Sequence, residues 1–298
     1  MKESKVLRPE SKGPYLGAHM SISGGVPTSI GRAEKVKALS IQLFTKNSNQ
    51  WAGKPLTPEE ADQFQALREG AGIRFAFAHD SYLINLASPD SSLRKKSIAA
   101  FLDEMDRADR LGLDFIVFHP GAHMGEGVDA GCEKVADAMN QLLEKRPEQK
   151  VKLLVENAAG QGTTLGRTFE ELASIRDRVE NKERVGFCFD TCHAFAAGYD
   201  LRTEEGYRAV MKSFEDCAGI KNIQAFHLND SKKGLNCRVD RHEHIGKGGI
   251  GLDAFRFLLN DPRFADRPMV LETPKSEDLH EDIENLKVLR SLLIDVSH

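Results

Sequence analysis

The sequence lacks long apolar runs and an excess of either charge. No segment offers about 18 consecutive apolar residues, so we expect no membrane span. The N-terminal stretch MKESKVLRPESKGP has no apolar core of the kind that secretory signals need. The 41 basic and 45 acidic residues give a net charge of −4. No global positive field therefore favours nucleic acid, and any such binding has to depend on a local basic surface.

Cysteine is scarce, and its spacing shows no pairing. The chain of 298 residues contains 5 cysteines and no CxxC motif. An odd number in a chain of this length argues against a disulfide framework and for a reducing compartment. We expect reduced thiols that mostly fill the core, in a cytoplasmic protein.

Eight short apolar runs alternate with helical patterns along the chain. They are PYLGAH, SIQLFTKN, RFAFAHD, DFIVFHPG, VKLLVENAAGQG, VGFCFDTCH, QAFHLND and PMVLETP. Runs that are apolar throughout are typical of strands buried on both faces, and the alternation predicts parallel pairing. We therefore predict a single (β/α)8 TIM barrel over residues 14–298, with residues 1–13 as a disordered arm. An open doubly wound sheet stays as the alternative, because periodicity does not define strand order.

The segments between these runs contain helix signals. Thr57 is a predicted N-cap, with Pro58 at the first helical position and Glu60 completing a capping box. In the same segment, Phe64 and Leu67 are predicted to face inward. The last segment has a similar apolar stripe, formed by Leu279, Ile283, Leu286 and Leu289.

Six of the predicted strands end in a side chain that can bind a metal. These residues are His79, His119, Glu156, Asp190, His227 and Glu272. In a closed barrel the carboxyl ends of all strands meet at one mouth, so residues far apart in sequence would share a small volume. Carboxylates crowded there need neutralising cations, and imidazole supplies the nitrogen ligands that zinc prefers.

Three further candidates lie in the loops. His193 follows Asp190 by three positions, and Asp240 and His242 are two apart, so in an extended segment both point the same way. Nine ligands are too many for one ion, which indicates two or three ions with at least one bridging carboxylate. Other roles stay open: a lone histidine is more often structural, Asp190 could be a helix N-cap, and the Asp240 segment could be a surface turn. Cys192 is predicted to be a packed thiol rather than a ligand.

Seven strings resemble those of the endonuclease IV family of apurinic/apyrimidinic endonucleases, in the same order and across almost the whole chain from about residue 14. They are HDSYLINLASPD, FHPGAH, ENAAGQGTTLG, DTCHAFAAGYDLR, FHLNDSK, RVDRHEHIGKGGIG and LETP. The resemblance implies a (β/α)8 barrel with three zinc ions that repairs abasic sites in double-stranded DNA. It assigns His79 and His119 to a first zinc, Asp190, His227 and Glu272 to a second, His193, Asp240 and His242 to a third, and Glu156 as the bridge between the first two.

The implied reaction is hydrolysis of the phosphodiester 5′ to the abasic site. It leaves a 3′-hydroxyl and a 5′-deoxyribose phosphate, and the family activity extends to removal of 3′-blocking groups. We expect a hydroxide that bridges the first two ions, positioned by Glu156 and oriented by Glu272, to attack phosphorus in line. Ligands of this kind also accept manganese or iron, so either ion could replace part of the zinc.

The DNA contacts are predicted from loops at the mouth. Lys46 and Arg241 could neutralise phosphates. The resemblance places Tyr82 in a loop that enters the DNA, and it places Asn49 where some members carry an arginine that probes the base stack. We expect a monomer, because a barrel closes its own sheet.

Two other functions compete with this interpretation. A metal-dependent sugar isomerase on a similar barrel also gathers Glu, Asp and His at strand ends, but it needs only one or two ions and leaves His193, Asp240 and His242 unexplained. A non-catalytic, metal-stabilised DNA-binding protein would retain binding to abasic DNA without cleaving it.

Overall fold

The computed structural model describes residues 13–294. The predicted disordered arm, residues 1–13, lies outside the described residues except for Gly13, so it stays a prediction. Among the described residues, no helix is long and apolar enough to cross a membrane.

Eight parallel strands close into a barrel, as the sequence predicts. The strands are β1 (Tyr15–His19), β2 (Ser40–Phe44), β3 (Phe75–His79), β4 (Phe115–Phe118), β5 (Lys152–Glu156), β6 (Val185–Asp190), β7 (Ile223–His227) and β10 (Pro268–Leu271). Their order around the barrel is β1-β10-β7-β6-β5-β4-β3-β2. The alternative of an open sheet is excluded, because each of the eight strands pairs with a neighbour on both sides, and the pairing of β1 with β2 closes the ring.

Helices cover the outside of the barrel. They are α1 (Thr28–Lys35), α2 (Pro58–Gly70), α3 (Ser91–Arg110), α4 (Val128–Lys145), α5 (Phe169–Asp177), α6 (Thr191–Ala197), α7 (Glu204–Ala218), α8 (Leu252–Leu259) and α9 (His280–Ser291). The short α6 directly follows β6, and its residues are buried. It ends at Gly198, whose φ of 111° is a left-handed conformation that glycine adopts without strain.

The predicted capping box of α2 is present. The Thr57 side chain accepts the Glu60 N–H, and the Glu60 side chain accepts the Thr57 N–H. Phe64 is buried, but the prediction for Leu67 is wrong, since 41% of it is exposed. The prediction for Ile283 is wrong in the same way, at 44% exposed. Both residues lie at the edge of an apolar stripe, where helical spacing alone does not define the buried arc.

The interior of the barrel is filled by a compact apolar layer. It consists of Phe77, Phe115, Val117, Leu154, Cys188, Ala225 and Val270, which are all buried. A second, larger core lies between the strands and the helices. The inner layer is the floor on which the polar strand ends rest.

A small antiparallel hairpin lies beside the mouth. It pairs β8 (Asp230–Ser231) with β9 (His242–Glu243), and Ser231 stands opposite His242. The loop between these strands contains Asp240. The sequence predicts an extended segment here but does not identify its partner strand.

Candidate metal centre

The six predicted strand-end residues converge on one point at the mouth, and Glu156 lies at its centre. One carboxylate oxygen, Oε2, lies 3.2 Å from His79 Nε2 and 3.5 Å from His119 Nε2. The other, Oε1, lies 2.7 Å from His227 Nδ1 and 3.3 Å from His193 Nδ1. Glu156 therefore faces two neighbouring groups of ligands at once.

The loop candidates join the same cluster. Asp190 is the N-cap of α6, because its Oδ1 accepts the His193 N–H at 2.7 Å. The same residue therefore caps the helix and presents a carboxylate to the site. His193 Nε2 lies 3.3 Å from Asp240 Oδ2, and His242 Nε2 lies 3.1 Å from Asp240 Oδ1. Asp240 and His242 thus point the same way, as their spacing predicts.

These side chains form overlapping groups whose potential ligand atoms lie within 4.8 Å of one another. One group contains His79, His119 and Glu156, and a second contains Glu156, Asp190, His227 and Glu272. A third group contains Asp190, His193 and His242, and a fourth contains Cys192, Asp240 and His242. The structure thus brings all nine predicted ligands together.

Three histidines each direct Nδ1 toward a backbone carbonyl. Nδ1 of His79 lies 3.0 Å from the Asp80 carbonyl, Nδ1 of His193 lies 2.9 Å from the Asn157 carbonyl, and Nδ1 of His242 lies 3.1 Å from the Glu272 carbonyl. Because a carbonyl only accepts, each Nδ1 carries a proton and, in the neutral ring, Nε2 carries the lone pair. These Nε2 atoms face carboxylates, and that arrangement suits a cation between them.

The Nε2 atom of His242 gives a second reason why these side chains fit a metal ion. Nε2 of His242 is buried and has no hydrogen-bond partner of good geometry in the described structure, although Asp240 Oδ1 is nearby. Buried polar atoms normally have partners. An ion held by imidazole nitrogen and carboxylate oxygen, as zinc is, would satisfy this atom.

The electrostatics of the cluster favour positive charge. Burial lowers the pKa of His79, but a hydrogen bond to Glu156 and its charge outweigh burial and raise that pKa to about 9. Burial raises the pKa of Glu272, but the charges of His227, His79 and His242 together outweigh burial, and the pKa falls to about 2. In the metal-free protein, protons on imidazoles such as His79 therefore neutralise the carboxylates, whereas burial lowers the pKa of His119 to about 4.

A cavity of about 200 Å³ opens over the cluster. Its lining includes Phe44, Tyr82, His119, Asp240 and Glu272. Tyr82 is 64% exposed, and its ring lies edge-on to Phe44 at 5.5 Å. A larger cavity of about 520 Å³ lies among residues of α3 and α4, but none of the clustered ligands lines it, so the mouth is the candidate site.

The predicted DNA-contacting residues differ in exposure. Asn49 and Arg241 are exposed, and Tyr82 stands at the rim of the cavity. The structure gives no support for the predicted phosphate contact of Lys46, because its side chain is buried and its Nζ lies 2.5 Å from Glu104 Oε1 and 3.2 Å from Asp103 Oδ2. Glu104 belongs to α3, and the sequence does not show that this helix packs against the loop after β2.

Sequence reasoning missed three supporting side chains. Asn157 Oδ1 accepts the Asp190 N–H at 2.7 Å, and Asn229 Nδ2 donates to Asp190 Oδ2 at 2.7 Å. Gln42 is fully buried and contacts both His227 and Glu272. The sequence offered one signal for these three residues, because each is an amide side chain inside or just after an apolar run. Cys192 is buried, and burial raises its thiol pKa to about 12, but its Sγ also lies within 4.8 Å of potential ligand atoms of Asp240 and His242, so its role as a packed thiol stays a prediction.

Comparison with known proteins supports the resemblance to the endonuclease IV family. Residues 30–292 match the family described as Xylose isomerase-like TIM barrel. A protein of Chloroflexus aurantiacus called "Probable endonuclease 4" is 52% identical over 280 residues, which are 94% of this chain and 98% of that protein.

Solved structures give the same relationship. Endonuclease IV from Thermus thermophilus superposes with a TM-score of 0.83 at 36% identity, over 94% of this chain and 98% of that one. D-allulose 3-epimerase from a Methylomonas species superposes with a TM-score of 0.66 at 14% identity, over 94% and 98% of the two chains, and shares the fold alone. The match along nearly the full length of proteins so named shows that the chain belongs to the endonuclease IV family.

Proposed function

We propose that the protein is a DNA-repair endonuclease that hydrolyses the phosphodiester 5′ to an abasic site in double-stranded DNA. The observation that carries the proposal is the set of connected ligand groups around Glu156, which lies beneath an open cavity at the barrel mouth. The products would be a 3′-hydroxyl and a 5′-deoxyribose phosphate. The same site would remove 3′-blocking groups, because these are also phosphoesters.

The centre would hold three zinc ions. His79 and His119 would bind the first, Asp190, His227 and Glu272 the second, and His193, Asp240 and His242 the third, with Glu156 shared by the first two. When bound, the ions supply a nucleophile near neutral pH, charge neutralisation at phosphorus and stabilisation of the leaving oxygen. Manganese or iron could replace part of the zinc, since these ligands accept all three metals.

The residues of the chain would act as ligands and orienting groups. The two carboxylate oxygens of Glu156 face different neighbouring ligands, as expected of a carboxylate that would be shared by two ions. Glu272 lines the cavity and would accept a hydrogen bond from the attacking water, orienting it toward phosphorus. Its own position is fixed by its backbone N–H, which donates to Asn229 Oδ1 at 2.8 Å.

The rim would bind the DNA. Tyr82 is exposed beside the cavity and offers an aromatic face to an extruded nucleotide, and extrusion costs little where no base has to be unpaired. Asn49 and Arg241 are exposed and available to the backbone, and Asn49 brings neither the charge nor the stacking plane of an arginine. We expect the active species to be a cytoplasmic monomer.

The sugar epimerases share the barrel but explain less of the site. Their chemistry would use one or two ions at the strand ends. The third group, in which His193 and His242 both face Asp240, would then have no role.

Product mapping tests the proposal. The purified protein is incubated with a duplex that carries one abasic-site analogue, and the fragment ends are assigned by gel mobility and by extension with a DNA polymerase. A single cut 5′ to the lesion with an extendable 3′ end is expected. A cut 3′ to the lesion, or none alongside epimerisation of a ketohexose, would contradict the proposal.

A further inference from the structure

Gln42 is a buried amide among the ligand groups. It lies in β2, which contributes none of the nine candidate ligands, and its side chain is fully buried. Gln42 Nε2 donates to Glu272 Oε1 at 2.5 Å, and Gln42 Oε1 accepts from His227 Nε2 at 2.7 Å. One side chain thus joins two candidate ligands of the same ion.

The neighbours of this amide define its orientation. Besides Glu272, the Nε2 atom has a second partner, His19 Nδ1, at 3.0 Å. A carboxylate oxygen only accepts, so the amide nitrogen has to face Glu272. The flipped amide would place Oε1 against Glu272 Oε1 and lose a hydrogen bond in a buried site. The oxygen therefore faces His227, and His227 Nε2 has to carry the proton.

This proton distinguishes His227 from His79, His193 and His242. In the neutral ring the lone pair lies on Nδ1, which is 2.7 Å from Glu156 Oε1, 3.1 Å from Glu272 Oε2 and 3.8 Å from Asp190 Oδ2. In His79, His193 and His242 the ring orientation is reversed, and a backbone carbonyl holds the proton of Nδ1. For His227 the acceptor is a side chain, which can be substituted.

We propose that Gln42 is a positioning residue that selects the Nδ1-ligand tautomer of His227 and holds Glu272 in its ligand orientation. The inference rests on the proposed assignment of these two residues to one ion. Without Gln42, His227 Nε2 would lose its acceptor, and the proton could move to Nδ1, where it would hydrogen-bond Glu156. A proton at that position competes directly with the ion. Loss of such an outer partner typically weakens metal affinity about 10–100-fold.

Nuclear magnetic resonance of the zinc-loaded protein reports the tautomer directly. The full chain is labelled with ¹⁵N-histidine, long-range ¹H–¹⁵N correlations are recorded, and the His227 signals are assigned by their loss in His227→Gln. We expect His227 to carry its proton on Nε2, whereas His79, His193 and His242 carry theirs on Nδ1. A wild-type His227 protonated on Nδ1 would overturn the inference without any variant of Gln42.

Two variants and a control separate positioning from general damage. Gln42→Met keeps the length and removes both hydrogen bonds, and Gln42→Glu keeps an acceptor for His227 but removes the donor to Glu272. The control is Gln224→Met, since Gln224 lies in β7 and donates to the Lys221 carbonyl away from the cluster. Zinc affinity is measured by competition with a coloured chelator.

The expected pattern is specific. Gln42→Met should lose the Nε2-proton signature of His227 and bind one zinc about 10–100-fold more weakly than Gln224→Met does. Gln42→Glu should recover the signature. A Gln42→Met protein with the signature and zinc affinity of the control would overturn the proposal. Absence of cleavage by a wild-type protein that shows the expected signature would instead contradict the proposed function alone.

Discussion

Single residues in the cluster have separable tasks. Asp190 caps α6 and faces the site, while Asn157 and Asn229 hold Asp190 from two sides. His193 stands between Glu156 and Asp240, at 3.3 Å from each. The third ligand group therefore meets the first two at this ring.

Substitution of His193 should affect one ion more than the others. His193→Ala is expected to reduce metal content by about one ion per chain and to slow cleavage at least about 100-fold, because loss of the third ion would remove part of the positive charge that stabilises the transition state. Elemental analysis and single-turnover cleavage measure these effects. His123→Ala is the control, since His123 Nδ1 accepts from the Gly127 N–H outside the cluster. Full metal content with full activity would refute the assignment of His193.

The residues that the sequence identifies are those at strand ends. His79, Glu156, Asp190 and His227 could be recognised because each interrupts an apolar run at its carboxyl end, where a barrel has its mouth. Gln42 sits in the middle of SIQLF, and its partners are contributed by β7 and by the residue after β10. Contacts between strands depend on register, which one sequence does not provide.

The start of helix α2 is an element boundary that neighbouring residues in the sequence predict by themselves. Its start follows from Thr57, Pro58 and Glu60, and these contacts are all within one turn. Thr57→Ala should lower the free energy of unfolding by about 1 kcal/mol, because the Glu60 N–H loses its acceptor. Urea denaturation measures this change, with the exposed Ser92→Ala as control. Equal stability of the two variants would contradict a role for the cap.

The loop after β2 depends on a contact that local signals do not reveal. Lys46 is buried against Glu104 of α3, and Thr45 Oγ1 also donates to that carboxylate. A buried carboxylate without its cation is costly, so Lys46→Met should destabilise the fold by about 3–5 kcal/mol. Lys54→Met is the exposed control. A loss of less than about 1 kcal/mol in urea denaturation would show that the pair carries little of the stability.

The same contact predicts how Lys46 affects DNA binding. The double variant Lys46→Met/Glu104→Gln removes both charges of the pair. Its affinity for abasic duplex should keep the wild-type dependence on salt, because Lys46 contacts no phosphate. Arg241→Met, at an exposed position, should reduce that slope by about 1. A reduced slope in the double variant would place Lys46 on DNA after all.

The whole molecule couples its stability to pH through the clustered site. In the metal-free protein the pKa values of His79 and His242 rise from 6.5 to about 9, so their stabilising contribution is complete below pH 6.5 and is lost as the pH rises to about 9. The pKa of Glu272 falls from 4.5 to about 2, so its contribution is complete above pH 4.5 and is lost as the pH falls to about 2. The contribution of these groups is therefore greatest between pH 4.5 and 6.5.

Zinc should reverse the alkaline part of this dependence. The ion displaces the imidazole protons, so its affinity rises with pH up to about 9. We expect the difference in Tm between zinc-loaded and chelator-stripped protein to increase from pH 6 to pH 9 at a constant excess of free zinc. Thermal denaturation across this range measures it. A difference that does not change with pH would show that zinc does not bind at these histidines.

Closure of the barrel brings the strand ends into one centre, so we expect incision to require that all of its metal positions are filled. The most direct measurement is the rate of incision 5′ to a single abasic-site analogue, followed as chelator-stripped protein is titrated with zinc and the bound metal is counted in the same samples. We predict no incision without metal and full activity at about three ions per chain. Incision by the stripped protein, or a fully loaded protein that leaves the duplex intact, would contradict this account.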